Sequence, residues 1–424
     1  MRSTAAWIGG LAALFFPFAE ARAQAQDQRQ LQEANNPDET RHVGKVHNRV
    51  RAAEAREQYF LDQEFDDAAR RYALAKKEIQ KSTGIFYSMT SSVLSQWGAP
   101  GSDYGAVQAQ FAPAINWKVF NDPGVGAGSF QFAYLATQYW SGPTGTSLQN
   151  RLNLNSPVND YPNNQLTFAQ VSYTHDFPGR VVSLTLGQFP FSNFDSNAYS
   201  NNEQINFIGY SLAQNGSQNY SQGSLGAYVQ VNPTRELTFA AGFQDANNVA
   251  PSNYIQFNTV GQGQYSWLLY GAWSPTLAKL GQGTYSLFYY NLPSVEMQPQ
   301  ASSGLSFNAS QQLGRQWGLF LRANTAWNSS QYIQSSIAGG AVYNNPLGRA
   351  PLDQIGLGLA WNKVNQTLYA GTFAQPSETM VELYWSWSVR HLLITPDVQL
   401  YLQPALTPTQ RMAAVFSLRV TVLF

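Results

Sequence analysis

Residues 82–424 hold so few charged side chains, 12 basic and 13 acidic, that they can be read one at a time. Six of them, Lys118, Arg322, Glu382, Arg390, Asp397 and Arg419, sit within segments whose polar and apolar residues alternate, and Phe320, Tyr384 and Gln399 share their polar faces. Guanidinium and carboxylate groups offer forked hydrogen bonds to vicinal hydroxyls. Aromatic faces such as those of Phe320, Phe288 and Tyr290 stack on the apolar side of a hydroxylated ring. The set therefore suits recognition of a polyhydroxylated solute; the plainer reading is that the charges pair with one another and stiffen a wall. Nucleophilic catalysis has much less to draw on. It needs a nucleophile with a histidine and a partner carboxylate; of four histidines, His42 and His47 lie in a charged N-terminal segment, and His175 and His391 stand in no recognisable motif. With no cysteine in the chain, thiol catalysis, disulfides and cysteine zinc sites are excluded, and no cofactor, metal or enzymatic activity is expected.

The elements that must position these residues follow from periodicity. From Gly84 onward the pattern has period two, in segments separated by Gly, Pro, Asn, Asp and Ser clusters. Val107, Ala109, Phe111, Ile115 and Trp117 oppose Gln108, Gln110, Asn116 and Lys118; Ile355, Leu357, Leu359 and Trp361 oppose Gln354, Gly356, Gly358 and Ala360. The same parity turns Arg322, Glu382, Tyr384, Arg390, Asp397, Gln399 and Arg419 to one side and Leu321, Leu383, Val389, Val398 and Leu418 to the other. About 16 such segments are legible, two of them weak, near 331 and 366. Soluble β-sandwiches also alternate, but three features favour a membrane barrel. Trp117, Trp273, Trp327, Trp361 and Trp385 sit at the ends of apolar faces, where interfacial girdles belong. The polar faces are nearly uncharged, as a hydrated lumen allows. The chain ends in a strand, Phe416 to Phe424, and only closure leaves no unpaired edge in lipid. The expected fold is all-β: a transmembrane antiparallel β-barrel of about 16 strands, preceded by a short periplasmic α-helix.

The chain divides into four parts. Residues 1–23 read as an export signal, with Arg2, an apolar run from Ala5 to Phe18 and a small-x-small cleavage site ending at Ala23. Residues 24–50 read as a flexible leader. Residues 51–82 read as a charged amphipathic helix whose Leu61, Phe65, Ala68, Tyr72, Ala75 and Ile79 form a heptad seam, suited to a coiled coil that would trimerise the protein or to packing on its own barrel. Residues 83–424 form the barrel. No stretch of about 20 apolar residues follows the N-terminus, which excludes a helical membrane protein, and 25 basic against 25 acidic residues leaves no basic face for nucleic acid. Residues 188–223, which include Phe194 and Asp195, are too long for a plain turn; they either fold inward as a constriction loop or lie on the surface.

Two stretches carry a family resemblance. Val181 to Leu186 runs into Gly187-Gln188-Phe189, then Phe194-Asp195, Phe207-Ile208, Ser224-Leu225-Gly226-Ala227-Tyr228 and Pro233. The end of the chain has Glu382-Leu383-Tyr384, Leu393-Ile394-Thr395-Pro396-Asp397-Val398-Gln399, Pro404 and Val415-Phe416-Ser417-Leu418-Arg419. These resemble the carbohydrate-selective porin family, the OprB-type outer-membrane porins, although Gln188 stands where members commonly have Lys and the charged helix is longer than usual. The resemblance implies a 16-stranded channel passing sugars across the bacterial outer membrane by diffusion. It implies sugars as solutes, outer-membrane lipid around the wall, and recognition of Phe424 by the barrel assembly machinery; the seam allows a homotrimer. The competing readings are a nonselective porin and an exopolysaccharide secretion channel. The latter is suggested by Tyr59 to Ala69, which resembles part of one tetratricopeptide repeat.

Overall fold

The computed structural model describes residues 41–61, 67–101, 105–248, 252–296, 298–350, 352–389 and 392–423. Two helices, α1 (Lys45–Leu61) and α2 (Asp67–Thr83), precede the sheet. The first half of the barrel is β1 (Ile85–Ala99), β2 (Gly105–Asp122), β3 (Gly126–Tyr139), β4 (Gln165–Asp176), β5 (Val182–Phe189), β6 (Ser224–Val231), β7 (Leu237–Asp245) and β8 (Tyr265–Trp273). The second half is β9 (Gly281–Leu292), β10 (Ser302–Leu313), β11 (Trp317–Trp327), β12 (Ile333–Asn344), β13 (Gln354–Val364), β14 (Ser377–Val389), β15 (Leu392–Leu402) and β16 (Met412–Leu423). A two-residue strand, Thr276–Leu277, pairs beside the start of β9. Every barrel strand is antiparallel to the next, and β1 pairs with β16 from Thr90↔Leu423 to Ala99↔Ala414, closing the sheet. Closure leaves no lipid-facing edge of unpaired N–H and C=O groups.

Alternation sets the two faces as expected. Leu357 is 54% exposed and Phe416 51%, while Ala360 and Ser417 on the other parity are buried. Trp117, Trp273 and Trp327 are each exposed on the outer face, and Trp361 with them. One expected strand is absent: residues 365–376 connect β13 to β14 in turns and bends. Thr367-Leu368-Tyr369-Ala370 alternates, but Asn365 draws its chain inward, its side-chain amide donating to the carbonyls of Ser329 (2.7 Å) and Gln331 (3.0 Å). The weak segment near 331 is real, as β12.

Both ends of the described chain lie at the rim with short turns, such as 123–125 and 314–316, which is the periplasmic side of such barrels. The long connections, 140–164 and 190–223, lie at the opposite rim. The helical region differs from its expected bounds. Helix begins at Lys45, and its start packs inside the barrel: Val46 and Val50 bury against Ala114 of β2 and Ala133 of β3. Val43, Val46, Val50 and Ala53 form an apolar stripe with helical spacing, so residues 43–50, read from composition as leader, have a face to bury. Among the described side chains of α2 the buried ones are Ala73 and Lys76, the latter with its ammonium 4.4 Å from the centre of the Tyr87 ring. Ala75 and Ile79 of the heptad seam are exposed, so α2 rests on its own barrel by another face. The export signal, the repeat-like residues 62–66, Arg390, His391 and Phe424 lie outside the described residues.

Candidate functional site: a lumen narrowed by three segments

The loop 190–223 folds inward. Its first part carries Phe191 and Phe194, both fully buried, which with Phe189 pack against Tyr228 and Phe288 from the wall; Phe194 and Phe288 stack with centroids 6.0 Å apart. Its middle carries Phe207 and Leu212, which meet Phe320, Met380 and Tyr384. The wall makes room for them. A Cβ on Gly358 would come within 2.8 Å of side-chain atoms of both Leu212 and Phe207, and one on Gly356 within 2.2 Å of the Tyr384 ring. Gly358 is thus space left for the loop, and Gly356 is space for the Tyr384 ring on which the loop's Phe207 packs.

The polar residues anticipated on the inner faces hold this loop. Asp195 accepts from Ser306 Oγ (2.6 Å), Asn308 Nδ2 (2.7 Å), Asn215 Nδ2 (2.6 Å) and the Tyr220 hydroxyl (3.0 Å). Arg322 donates through Nε to Asn308 Oδ1 (2.8 Å) and through Nη2 to the Ser200 carbonyl (2.6 Å). Arg419 donates to the carbonyl of Asn206 (2.7 Å) and to that of Glu203. Glu382 accepts from the backbone N–H of Gly209 (2.8 Å) and of Ile208. Side chains that looked like a solute site are therefore buried beneath backbone: Phe320 and Tyr384 lie against Phe207 at 5.2 and 4.9 Å between centroids. Asp397, opposite Tyr384, and Gln399, which accepts from the Tyr401 hydroxyl (2.7 Å), are buried on the same face. Lys118 stands apart, exposed near the periplasmic rim with its ammonium 4.4 Å from the centre of the Phe86 ring.

A second loop, 140–164, also turns inward. It contains α3 (Gly145–Arg151), capped by Thr144, and buries Leu148, Leu152, Leu154 and Val158. Glu378 secures it by accepting from the N–H groups of Asn155 and Ser156, both at 2.9 Å. The third filler is the N-terminal segment. The Arg41 guanidinium donates to the Arg235 carbonyl (3.1 Å), the Val43 N–H to Gln230 Oε1 (3.1 Å) and the Lys45 N–H to Asn193 Oδ1 (3.1 Å), so residues 41–45 climb from a periplasmic turn to the inward loop.

Where the three segments meet, a cavity of about 70 Å³ remains, lined among others by Lys45, Arg49, Asp160, Tyr161, Gln170 and Tyr220. Lys45 and Arg49 are half-buried, while Asp160 is buried with its Oδ1 lacking a hydrogen-bond partner among the described residues. Burial, reinforced by the charge of Arg49, pushes Lys45 down to about 8 against the pull of Asp160. Burial pushes Asp160 up to about 6 against the pull of Lys45, Arg322 and Arg49. Near neutral pH this constriction holds two cations and one carboxylate. None of Lys45, Arg49, Asp160 and Tyr161 lies on a strand, so strand parity could not reveal them. Their sequence signal is apolar residues in stretches without strand alternation: the Val43, Val46, Val50 stripe, and Leu148, Leu152, Leu154 and Val158.

The model of the family described as "Carbohydrate-selective porin, OprB family" matches residues 123–424. The chain belongs to this family of outer-membrane porins. It is 32% identical to Porin AaxA of Chlamydia felis over 350 residues, 80% of this chain and 78% of that protein. It is 33% identical to Porin AaxA of Chlamydia pneumoniae over 351 residues, 80% of each. Among solved structures, Pseudomonas putida OprB at high pH aligns over 83% of this chain and 97% of its own with a TM-score of 0.69 at 16% identity, a likeness of fold. The barrel is thus a porin wall of the OprB type, and loops and the N-terminal segment border the cavity left inside it.

Proposed function

We propose that the protein gives passive, sugar-selective diffusion across the outer membrane into the periplasm. The observation that carries this is the narrowed lumen: inward loops leave a cavity lined by glutamine amides, tyrosines and three charged groups inside a barrel wide enough to be unselective if empty. Amides and tyrosine hydroxyls exchange hydrogen bonds with a sugar as it sheds water, and ring faces meet its apolar side. A lumen filled by inward loops supports passage of small sugars over extrusion of a polymer, and discrimination over a nonselective porin. Around this function stand export with cleavage after Ala23, lipid contact along the outer face, recognition of the terminal strand by the assembly machinery, and a homotrimer to which the exposed Ala75 and Ile79 of α2 would contribute a seam.

Liposome swelling tests the reading. With the purified protein, monosaccharides should enter several times faster than polar solutes of equal size such as linear polyols, and trisaccharides should be excluded. Rates that follow solute size alone would reduce the protein to a nonselective pore.

A further inference from the structure

We propose that the N-terminal segment 41–50 is a wall of the pore, and that Lys45 and Arg49 make its narrowest part favour carboxylate-bearing polyhydroxylated solutes, the uronates and aldonates, over neutral sugars. The proposal rests on the lumen being the solute path, and refines which sugars use it.

Geometry places the segment there. Three hydrogen bonds from Arg41, Val43 and Lys45 tie it successively to a periplasmic turn, to the β6 wall and to the inward loop. Val46 and Val50 are buried at 1% and 3% exposure against alanines whose small size leaves a groove for the helix. Its two cations then face the cavity, and among the described residues that line it the only carboxylate is Asp160, whose Oδ1 has no donor among them. Around the cavity the neighbouring charges are Arg322 of the wall, Asp195 in its cage of donors, and Glu203, which burial and the Asp160 charge hold well above the usual carboxylate range. Counting the charged groups that line the cavity itself, Lys45 and Arg49 against Asp160, the balance near neutrality is positive. A solute carboxylate can sit between Lys45 and Arg49 while its hydroxyls meet Gln170 and the Asp160 oxygen, an arrangement that a neutral sugar satisfies only in part. The sign of the pH response follows. As pH falls through about 6, Asp160 takes up a proton and the net positive charge grows; as pH rises through about 8, Lys45 loses its proton and the charge shrinks.

The chain has no cysteine, so a single thiol can be introduced and read. In planar bilayers the full-length exported protein with Lys45→Cys should change conductance in discrete steps when a cationic methanethiosulfonate is added, while the parent does not respond. In a KCl gradient the parent should prefer chloride, more so at pH 5 and less at pH 9, and Lys45→Gln/Arg49→Gln should lower the chloride-to-potassium permeability ratio by at least about fivefold, the effect of about 1 kcal/mol from a single unit charge on a single ion at close range in water. Glucuronate should enter parent-containing liposomes faster than glucose and lose that advantage in the double variant; Lys45→Arg should keep it. A Lys45→Cys channel that ignores the reagent, or an unchanged ion preference in a double variant that still migrates as a folded barrel in unboiled gels, overturns the proposal while sugar diffusion stands. Absence of solute uptake by the parent would instead sink the pore reading beneath it.

Discussion

Arg322→Ala combined with Arg419→Ala is expected to raise single-channel conductance several-fold and erase discrimination among sugars, with the barrel still folded. The two guanidiniums hold the middle of loop 190–223 by the carbonyls of Ser200, Glu203 and Asn206. A hydrogen bond from a charged group contributes roughly 1.5–3 kcal/mol, so losing the set costs the docked loop several kcal/mol. Since about 1.4 kcal/mol is a factor of ten in population, the loop would leave its seat often enough to dominate the open state. Glu382 would keep its two backbone donors, Ile208 and Gly209, but lose the nearby positive charge of Arg419. The ladder that closes the barrel uses backbone groups alone and is untouched. The check is conductance and noise in bilayers beside heat-modifiable gel mobility. Parent-like conductance and sugar preference would mean that the aromatic contacts of Phe191, Phe194 and Phe207 hold the loop without the arginines.

Leu357→Arg should do the reverse. Leu357 stands on β13 with half its surface toward lipid, between inward-facing Gly356 and Gly358. A guanidinium at mid-membrane on a barrel costs about 2 to 4 kcal/mol, falling toward the interfaces. The expected result is a lower urea midpoint for unfolding from lipid vesicles, with unchanged sugar preference in the molecules that fold. Stability equal to the parent's would place this residue near an interface or against another subunit.

The wall was legible because a strand has only two faces. Once Leu357, Leu359 and Trp361 are assigned to lipid, Gly356, Gly358 and Ala360 must point inward, and one wrong register would reverse them all. The segment near 366 misled for the same reason: a few alternating residues satisfy the pattern, and what decides their fate is the Asn365 amide binding two carbonyls across a turn. Parity says where a side chain points but not what it meets. Arg322, Glu382 and Arg419 were rightly assigned to the interior, yet the interior there is loop backbone. The cationic side of the cavity does not show in the average composition of residues 41–50. Three valines at spacings of three and four amid Arg, His and Asn hold too little apolar weight to change that average, although each is in the right place to fill a groove.

The location of α1 also bears on how such a molecule is put together. The helix touches β1, β2 and β3, the first strands the chain provides, and is joined to β1 through α2. Its seat is therefore made by three consecutive strands, and the β1 to β16 seam closes around an interior that the helix occupies. A variant that weakens the helix seat, such as Val46→Asp, is accordingly expected to loosen β1, β2 and β3 as well as the interior, read as a lower urea midpoint in lipid vesicles, so that the part of the chain that fills the cylinder also braces three of its staves.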